Sequence, residues 1–188
     1  KRDYHDFFKH HHFAFNNSPY ERNAFCTEIN EIFEKTGLRF ILTNSGAVER
    51  VVDNSILSTE IENNVAQINE SGLKELLQDA ITAYKTPHPV SRKESVEKIW
   101  DALERLKTYY TTMDKKASAV KIIDDMSDGR AAFQTLFNDE FIALTKIGNG
   151  FRIRHHETDK IEIADEKYYD YFFNRCLSLI ALAIQYLH

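Results

Sequence analysis

Two adjacent histidines, His155 and His156, follow two alternating arginines, Arg152 and Arg154, in the stretch GFRIRHHETDK. An imidazole can exchange protons near neutral pH, and a guanidinium presents a rigid fork of donors to phosphate oxygens. RNA can be cleaved by attack of its own 2′-hydroxyl, which requires proton transfer and a cation beside the phosphate. These four side chains therefore predict a site that binds or cleaves phosphodiesters.

A ribonuclease interpretation gives each residue of this stretch a role. His155 or His156 is the general base or acid, and Arg154 stabilises the pentacoordinate phosphorane. Arg152 positions the strand or orients Glu157, which is a second candidate for substrate binding. This chemistry requires no metal and no other cofactor, so none is expected.

The residues just before the stretch add a third candidate for substrate binding, Asn149. It lies between Gly148 and Gly150, and glycines allow a backbone to approach a substrate closely.

The local charge of this segment supports the interpretation as a phosphate site. The whole chain has a net charge of -5, but residues 146–160 set four cations against two carboxylates: Lys146, Arg152, Arg154 and Lys160 against Glu157 and Asp159. An acidic chain with one positive segment excludes a protein that coats duplex nucleic acid and favours a confined phosphate site.

The same stretch also fits a surface hairpin without catalytic function. The runs FRIR and KIEI alternate apolar and polar residues on either side of HHETD. In that alternative Phe151, Ile153, Ile161 and Ile163 face the core, and the arginines form exposed salt bridges with Glu162.

Helical periodicity covers most of the chain. Ser18, Pro19 and Glu21 form a helix-start signal, and the first helix is expected to end near Lys35. The runs LRFILT and VERVV, joined by NSGA, predict a small β-hairpin. Apolar spacing predicts five later helices, over residues 58–84, 91–110, 118–126, 131–147 and 168–187. The fold class is therefore mainly α, with a 1–54 α-β extension and a 55–188 helical bundle separated near Asn54.

Composition and apolar patterning bear on membrane association, cellular location and metal binding. The longest apolar run, residues 176–187, is shorter than the about 20 residues of a membrane helix, so no membrane association is expected. Cys26 and Cys176 lie far apart in apolar patterns, which indicates buried reduced thiols and a cytoplasmic location. The triplet His10, His11 and His12 is read as a surface loop, because no acidic or cysteine partner lies at metal-ligand spacing.

Three segments occur in an order that resembles the AbiJ-like abortive-infection proteins, whose helical part belongs to the HEPN superfamily. They are EINEIFEKTGLRFILTNSGAVERV, SRKESVEKIWDALERL and IGNGFRIRHHE, followed by a terminal apolar helix. The most specific points are KES at the start of a long helix and IRH before the last helix.

The resemblance implies an all-α HEPN-like bundle that forms a homodimer through its terminal helices. Arg154 and His155 would match the Arg-His of the AbiJ-like motif, with both protomers contributing them to one cleft. Many HEPN domains are metal-independent ribonucleases of phage-defence or toxin systems, so RNA, and a phage protein or antitoxin, are the expected partners. The usual HEPN motif has a longer spacer than the three residues between Arg152 and His156. The alternative is a non-catalytic HEPN-like sensing, binding or dimerisation module.

Overall fold

The computed structural model describes residues 2–13, 18–51, 57–154 and 158–187, and within them the chain is mainly helical. The predicted fold class, mainly α with an N-terminal helix and a small hairpin, is confirmed. The chain divides into two compact units, Lys1–Val51 and Val52–His188. The predicted boundary at Asn54 lies outside the described residues.

The first unit contains two small antiparallel hairpins and one helix. Its elements are β1 (Arg2–His5), β2 (His10–Phe13), α1 (Pro19–Lys35), β3 (Phe40–Leu42) and β4 (Val48–Arg50). The Ser18 hydroxyl accepts a hydrogen bond from the Glu21 N–H at 3.2 Å, so α1 begins with the predicted cap. After α1 the chain turns at Gly37, whose φ of +71° favours glycine.

The hairpin of β3 and β4 is the predicted one, whereas that of β1 and β2 was not predicted. His10 and His11, expected in a loop, form strand pairs with His5 and Tyr4. Sequence patterning did not reveal this hairpin because Arg, Asp and His occupy most of its strand positions, in place of the β-branched residues that mark a strand. In the other hairpin, the Asn30 side chain of α1 bonds to both the N–H and the carbonyl of Leu42 and ties β3 to the helix.

The second unit is a bundle of six helices among the described residues. They are α2 (Thr59–Ala66), α3 (Ser71–Lys85), α4 (Pro89–Leu106), α5 (Lys115–Ser127), α6 (Ala131–Gly150) and α7 (Glu166–Ala183). The prediction of a single helix over 58–84 was wrong, because the chain leaves the helix at Gln67 and Glu70 caps a new one. The Glu70 carboxylate accepts from the N–H groups of Gly72 and Leu73, and this starts α3.

Helix α4 carries the apolar stripe that positions the rest of the bundle. It begins at Pro89 rather than at the predicted Ser91, because His88 Nδ1 accepts from the Val90 N–H at 3.2 Å. The predicted stripe is buried throughout the helix, at Val96, Ile99, Trp100, Leu103 and Leu106. This stripe makes α4 the main partner of both α3 and α7.

Helix α7 is the buried terminal helix that its all-round apolar pattern indicates. Phe173 is fully buried and stacks on Tyr84 of α3, with the ring centroids 3.9 Å apart. The helix ends at Ala183, before the predicted Leu187. No helix in the described part of the chain is long and apolar enough to cross a membrane.

Candidate functional site

The end of α6 determines where the candidate site begins. The helix was expected to stop near Ile147 at the two glycines, but it continues through Gly150 and ends when the Phe151 N–H bonds to the Ile147 carbonyl at 2.9 Å. Gly148 lies inside the helix, where an added Cβ would be 2.5 Å from Nε1 of Trp100. The role of Gly148 is therefore close packing of α6 on α4, which the sequence did not reveal.

Beyond α6 the chain forms a loop whose two ends meet in a parallel bridge, not the antiparallel hairpin of the second interpretation. The Arg152 N–H donates to the Ile161 carbonyl at 2.8 Å, and the Ile161 N–H donates to the Gly150 carbonyl at 3.0 Å. Ile153 and Ile163 are buried, whereas Ile161 is 60% exposed. The bridge and the two buried isoleucines anchor the segment that carries Arg154.

Arg154 lies against α4. Its guanidinium donates to the Asp101 carboxylate with Nη2 and Oδ1 2.5 Å apart, and both side chains are about one third exposed, at 32% and 36%. The arginines were predicted to pair with Glu162. In the structure Arg154 pairs with Asp101, an acid on α4. Asp101 lies on the charged face of α4, which explains how it can reach the loop.

Arg154 lines a cleft of about 310 Å³ between α4, the start of α5 and the end of α6. This cationic cleft, as we call it, is lined by Trp100, Glu104, Lys107, Lys115, Thr145, Gly148, Asn149 and Arg154. The structure thus brings together two of the predicted site residues, Arg154 and Asn149. Arg154, Lys107 and Lys115 carry three positive charges in the cleft, and the carboxylates of Glu104 and of the neighbouring Asp101 carry two negative ones. The net charge of this group is therefore +1.

Lys107 is the charged residue that the fold buries most deeply. Among the described residues it is the one buried charged side chain, 8% exposed, and buried lysines are rare unless paired. Its ammonium bonds to Glu104 Oε1 and, at 3.1 Å, to the Thr145 hydroxyl of α6. Glu104 Oε2 also accepts from Lys115 at 2.7 Å, so one carboxylate links two lysines across the cleft.

The electrostatics of Glu104 follow from these contacts. Burial alone would raise the pKa of its carboxyl, but the hydrogen bonds from Lys107 and Lys115 outweigh burial and lower the pKa below its usual value. Glu104 therefore stays ionised and holds both ammonium groups in place. Such a fixed set of donors beside a guanidinium is suited to binding a phosphate or another small oxyanion.

The other predicted site residues do not all lie in this cleft. Arg152 is half-buried near Tyr169, whose pKa is raised mainly by burial and also by Glu162, against an opposing effect of Arg152. Lys160 donates to the Gly148 carbonyl at 3.2 Å, where a cation stabilises the end of α6. The predicted catalytic His155 and His156 and the predicted substrate-binding Glu157 lie outside the described residues.

Sequence reasoning missed Lys107, Lys115 and Glu104, although one signal for Lys107 was present. Lys107 is seven residues after Trp100 and four after Leu103, so it lies on the apolar stripe of α4. A lysine at a stripe position has to be paired or to snorkel outward. That position could have indicated a buried cation near the end of α4, but not its partners.

The cysteines are not candidates for nucleophilic chemistry. Cys26 and Cys176 are both buried free thiols, as their apolar patterns indicated. Burial raises the pKa of Cys176 well above its ordinary value, so its thiolate is strongly disfavoured. The described residues also contain no group of three or more His, Cys, Asp or Glu side chains placed to hold a metal ion.

The fold and the cleft define a mainly α-helical protein with a small cationic site in its second unit. Comparison of the chain with protein-family models, curated proteins and solved structures finds no match in any of the three.

Proposed function

We propose that this protein is a metal-independent endoribonuclease of a phage-defence or toxin system, and that the cationic cleft binds the scissile phosphate. The observation that carries the proposal is the convergence of Arg154, Lys107 and Lys115 on one cleft, with Arg154 directly preceding His155 and His156 in the chain. Cations around a phosphate stabilise the charge that develops as the phosphorane forms.

The proposed step is transesterification within the RNA. A histidine takes the proton of the 2′-hydroxyl, the 2′-oxygen attacks phosphorus, and the bond from phosphorus to the 5′-oxygen breaks. The second histidine protonates the leaving 5′-oxygen, and the product ends in a 2′,3′-cyclic phosphate. Arg154 and Lys115 neutralise the phosphorane, and the Asn149 amide donates a hydrogen bond to the substrate.

The proposal also covers the location, oligomeric state and regulation of the enzyme. A cytoplasmic homodimer formed through the terminal helices would bring two cationic clefts together, and a phage protein or antitoxin would regulate it. Exposed apolar side chains on the last two helices support this arrangement: Phe133, Leu136 and Ile142 on α6 and Tyr168 and Tyr171 on α7 are all more than 40% exposed. Sedimentation of the same preparation used for activity measures whether the dimer forms.

The test is incubation of the purified chain with transfer RNA or total RNA in EDTA. We expect cleavage with 2′,3′-cyclic phosphate ends, lost by at least 100-fold in His155→Ala or His156→Ala because general acid-base catalysis contributes about 10²–10⁴-fold. His11→Ala, an exposed histidine of the first unit, is the matched control and should retain full activity. Cleavage that is absent in the wild type, or unchanged in both variants, would reject the nuclease.

Arg154→Ala tests the cleft itself, with Arg130→Ala as the control because Arg130 is 68% exposed and its nearest acid, Asp128, is 3.7 Å away. A cleft that binds the scissile phosphate predicts slower turnover in the first variant alone. Equal activity of the two variants would place the phosphate elsewhere.

A second candidate function is a non-catalytic module that binds an anionic partner in the same cleft. It is favoured by the ion pairs, because Arg154 already contacts Asp101, while Lys107 and Lys115 already contact Glu104. Cations held in such ion pairs occur in structural networks as well as in catalytic sites. RNA binding that is weakened in Arg154→Ala, with no cleavage by the wild type, would decide for the module.

A further inference from the structure

A second cleft in the helical unit has a different chemistry from the cationic one. It has a volume of about 400 Å³ and lies between α2, the turn before α3 and the end of the chain after α7. Four residues with carboxamide side chains line it: Asn64, Gln67, Asn69 and Gln185. We call it the amide cleft. Tyr109, two residues after Lys107 of the cationic cleft, also lines it.

Its amides retain unused hydrogen-bonding capacity. Within the described residues, Asn64, Gln67 and Asn69 make no side-chain hydrogen bond, and Gln185 uses only Nε2, which donates to the Ala181 carbonyl at 3.0 Å. Each carboxamide carries both a donor and an acceptor. The cleft therefore favours a ligand whose edge also alternates donors and acceptors.

The remaining lining groups restrict the ligand further. Ile68, Ile184 and Leu187 are partly buried against the core and provide an apolar wall, and Tyr109 adds a half-buried aromatic ring. Among the residues that the structure describes, no Lys, Arg or His lines the cleft, and Glu60 does. An anionic ligand such as a phosphate is therefore disfavoured, whereas a flat, uncharged, partly apolar ligand fits.

We propose that the amide cleft binds a nucleobase. Nucleobases combine a flat apolar face with an edge of alternating donors and acceptors, and carboxamides recognise such edges. The base could belong to a free nucleoside or to an RNA chain. Binding of the free nucleoside does not depend on the proposed ribonuclease, whereas binding of an RNA base rests on it and would place a specificity site beside the cationic cleft.

The test is titration of the full chain with adenosine, guanosine, cytidine and uridine, one at a time, while the side-chain amide signals are followed by NMR. We expect saturable shifts of the Asn64, Gln67 and Asn69 signals with at least one nucleoside. Asn64→Ala should weaken that binding about fivefold, the effect of one lost hydrogen bond. Asn64→Asp, which replaces the donor by a charge, provides a second variant of nearly the same shape.

Asn63→Ala is the matched control, because Asn63 is an exposed neighbour on α2 that does not line the cleft. It should bind the nucleoside as the wild type does. The proposal is overturned by the absence of shifts with all four nucleosides at millimolar concentration, or by wild-type affinity in both Asn64 variants.

A single-stranded trinucleotide of the preferred base distinguishes the two sources. Tighter binding of the trinucleotide than of the nucleoside, lost in Lys115→Ala, assigns the base to RNA; equal affinity assigns it to a free nucleoside. Nucleoside binding by a chain that cleaves no RNA would reject the ribonuclease while supporting the amide cleft.

Discussion

The two units of the chain differ most in how much of their apolar surface they bury. Among the described residues of the first unit, Cys26 is the one buried side chain, and large apolar residues such as Phe25, Ile32 and Leu38 are about half exposed. In the second unit, α3, α4 and α7 together bury a continuous core. Because burial of apolar surface is the main driving force of folding, the second unit supplies most of the stability.

This difference bears on function because both clefts lie in the second unit. A site holds its geometry when the side chains around it are fixed by packing and by hydrogen bonds. The cationic cleft meets both conditions, since Trp100 forms part of the core and Lys107 is bonded on two sides. The first unit lacks such a core, and apolar side chains such as Phe25 remain exposed on it.

The largest effect expected from this comparison concerns two phenylalanines. Phe173→Ala should lower the free energy of unfolding by about 3–5 kcal/mol, since it leaves a cavity beside Tyr84 in the core. Phe25→Ala should change it by less than about 0.5 kcal/mol, because Phe25 is 57% exposed. Urea denaturation followed by circular dichroism measures both. Equal losses would show that the first unit has a core of its own.

A smaller effect on stability is expected from alanine substitutions at two glycines of the second unit, one closely packed and one not. Gly148→Ala should destabilise the protein by about 1–3 kcal/mol, because the new methyl group would overlap the Trp100 ring. Gly150→Ala should instead stabilise it by about 0.5–1 kcal/mol, because no atom lies within 4 Å of its added Cβ and alanine favours the helix. Thermal melts give the signs, and Trp100 fluorescence reports the disturbance directly. Effects of the same sign would contradict the packing assigned to Gly148.

The smallest effect concerns the helix caps of the two units and depends on pH. The hydrogen bond from Arg105, supported by the N–H groups of Leu73 and Gly72, lowers the pKa of Glu70 to about 2. Because the pKa is lower in the folded state, this stabilisation is fully present above the ordinary pKa of 4.5 and is lost as the pH falls towards 2. Glu70→Gln should cost about 1–2 kcal/mol at pH 7, a value reduced for solvent screening because Arg105 is half exposed, and almost nothing at pH 2.

The corresponding cap of α1 provides the contrast. Ser18 caps that helix with a hydroxyl, which does not titrate, so Ser18→Ala should have the same small effect at both pH values. Unfolding curves of the two variants at pH 7 and pH 2 test this difference. A Glu70→Gln effect that persists at pH 2 would show that the Arg105 ion pair is not its source.

Much of the fold was predictable, because the signals that define a helix lie within a few residues of one another. The cap at Ser18 and the stripe of α4 are both local patterns, and both are confirmed. The break between α2 and α3 was missed because a glutamate is not a usual N-cap, and its role depends on Arg105, 35 residues away. The β1–β2 hairpin was missed because its strands contain no Val, Ile or Thr, the β-branched residues that mark a strand.

The candidate site was predictable only in part. Arg154 and Asn149 were identified from residue type and position, and the structure brings them to one cleft. The buried Lys107 and its partners were not identified, since the pairing of Lys107 with Thr145 joins residues on separate helices. The proposed roles of His155 and His156 stay predictions.

The sequence by itself determined where most of the helices lie and where cations and imidazoles occur along the chain, because capping and periodicity act over one or two helical turns. Only the tertiary structure decided that Arg154 meets Asp101, 53 residues earlier, and that α6 packs on Trp100 through a glycine. Such contacts depend on how whole helices pack in three dimensions. Residue spacing along the chain does not predict that packing.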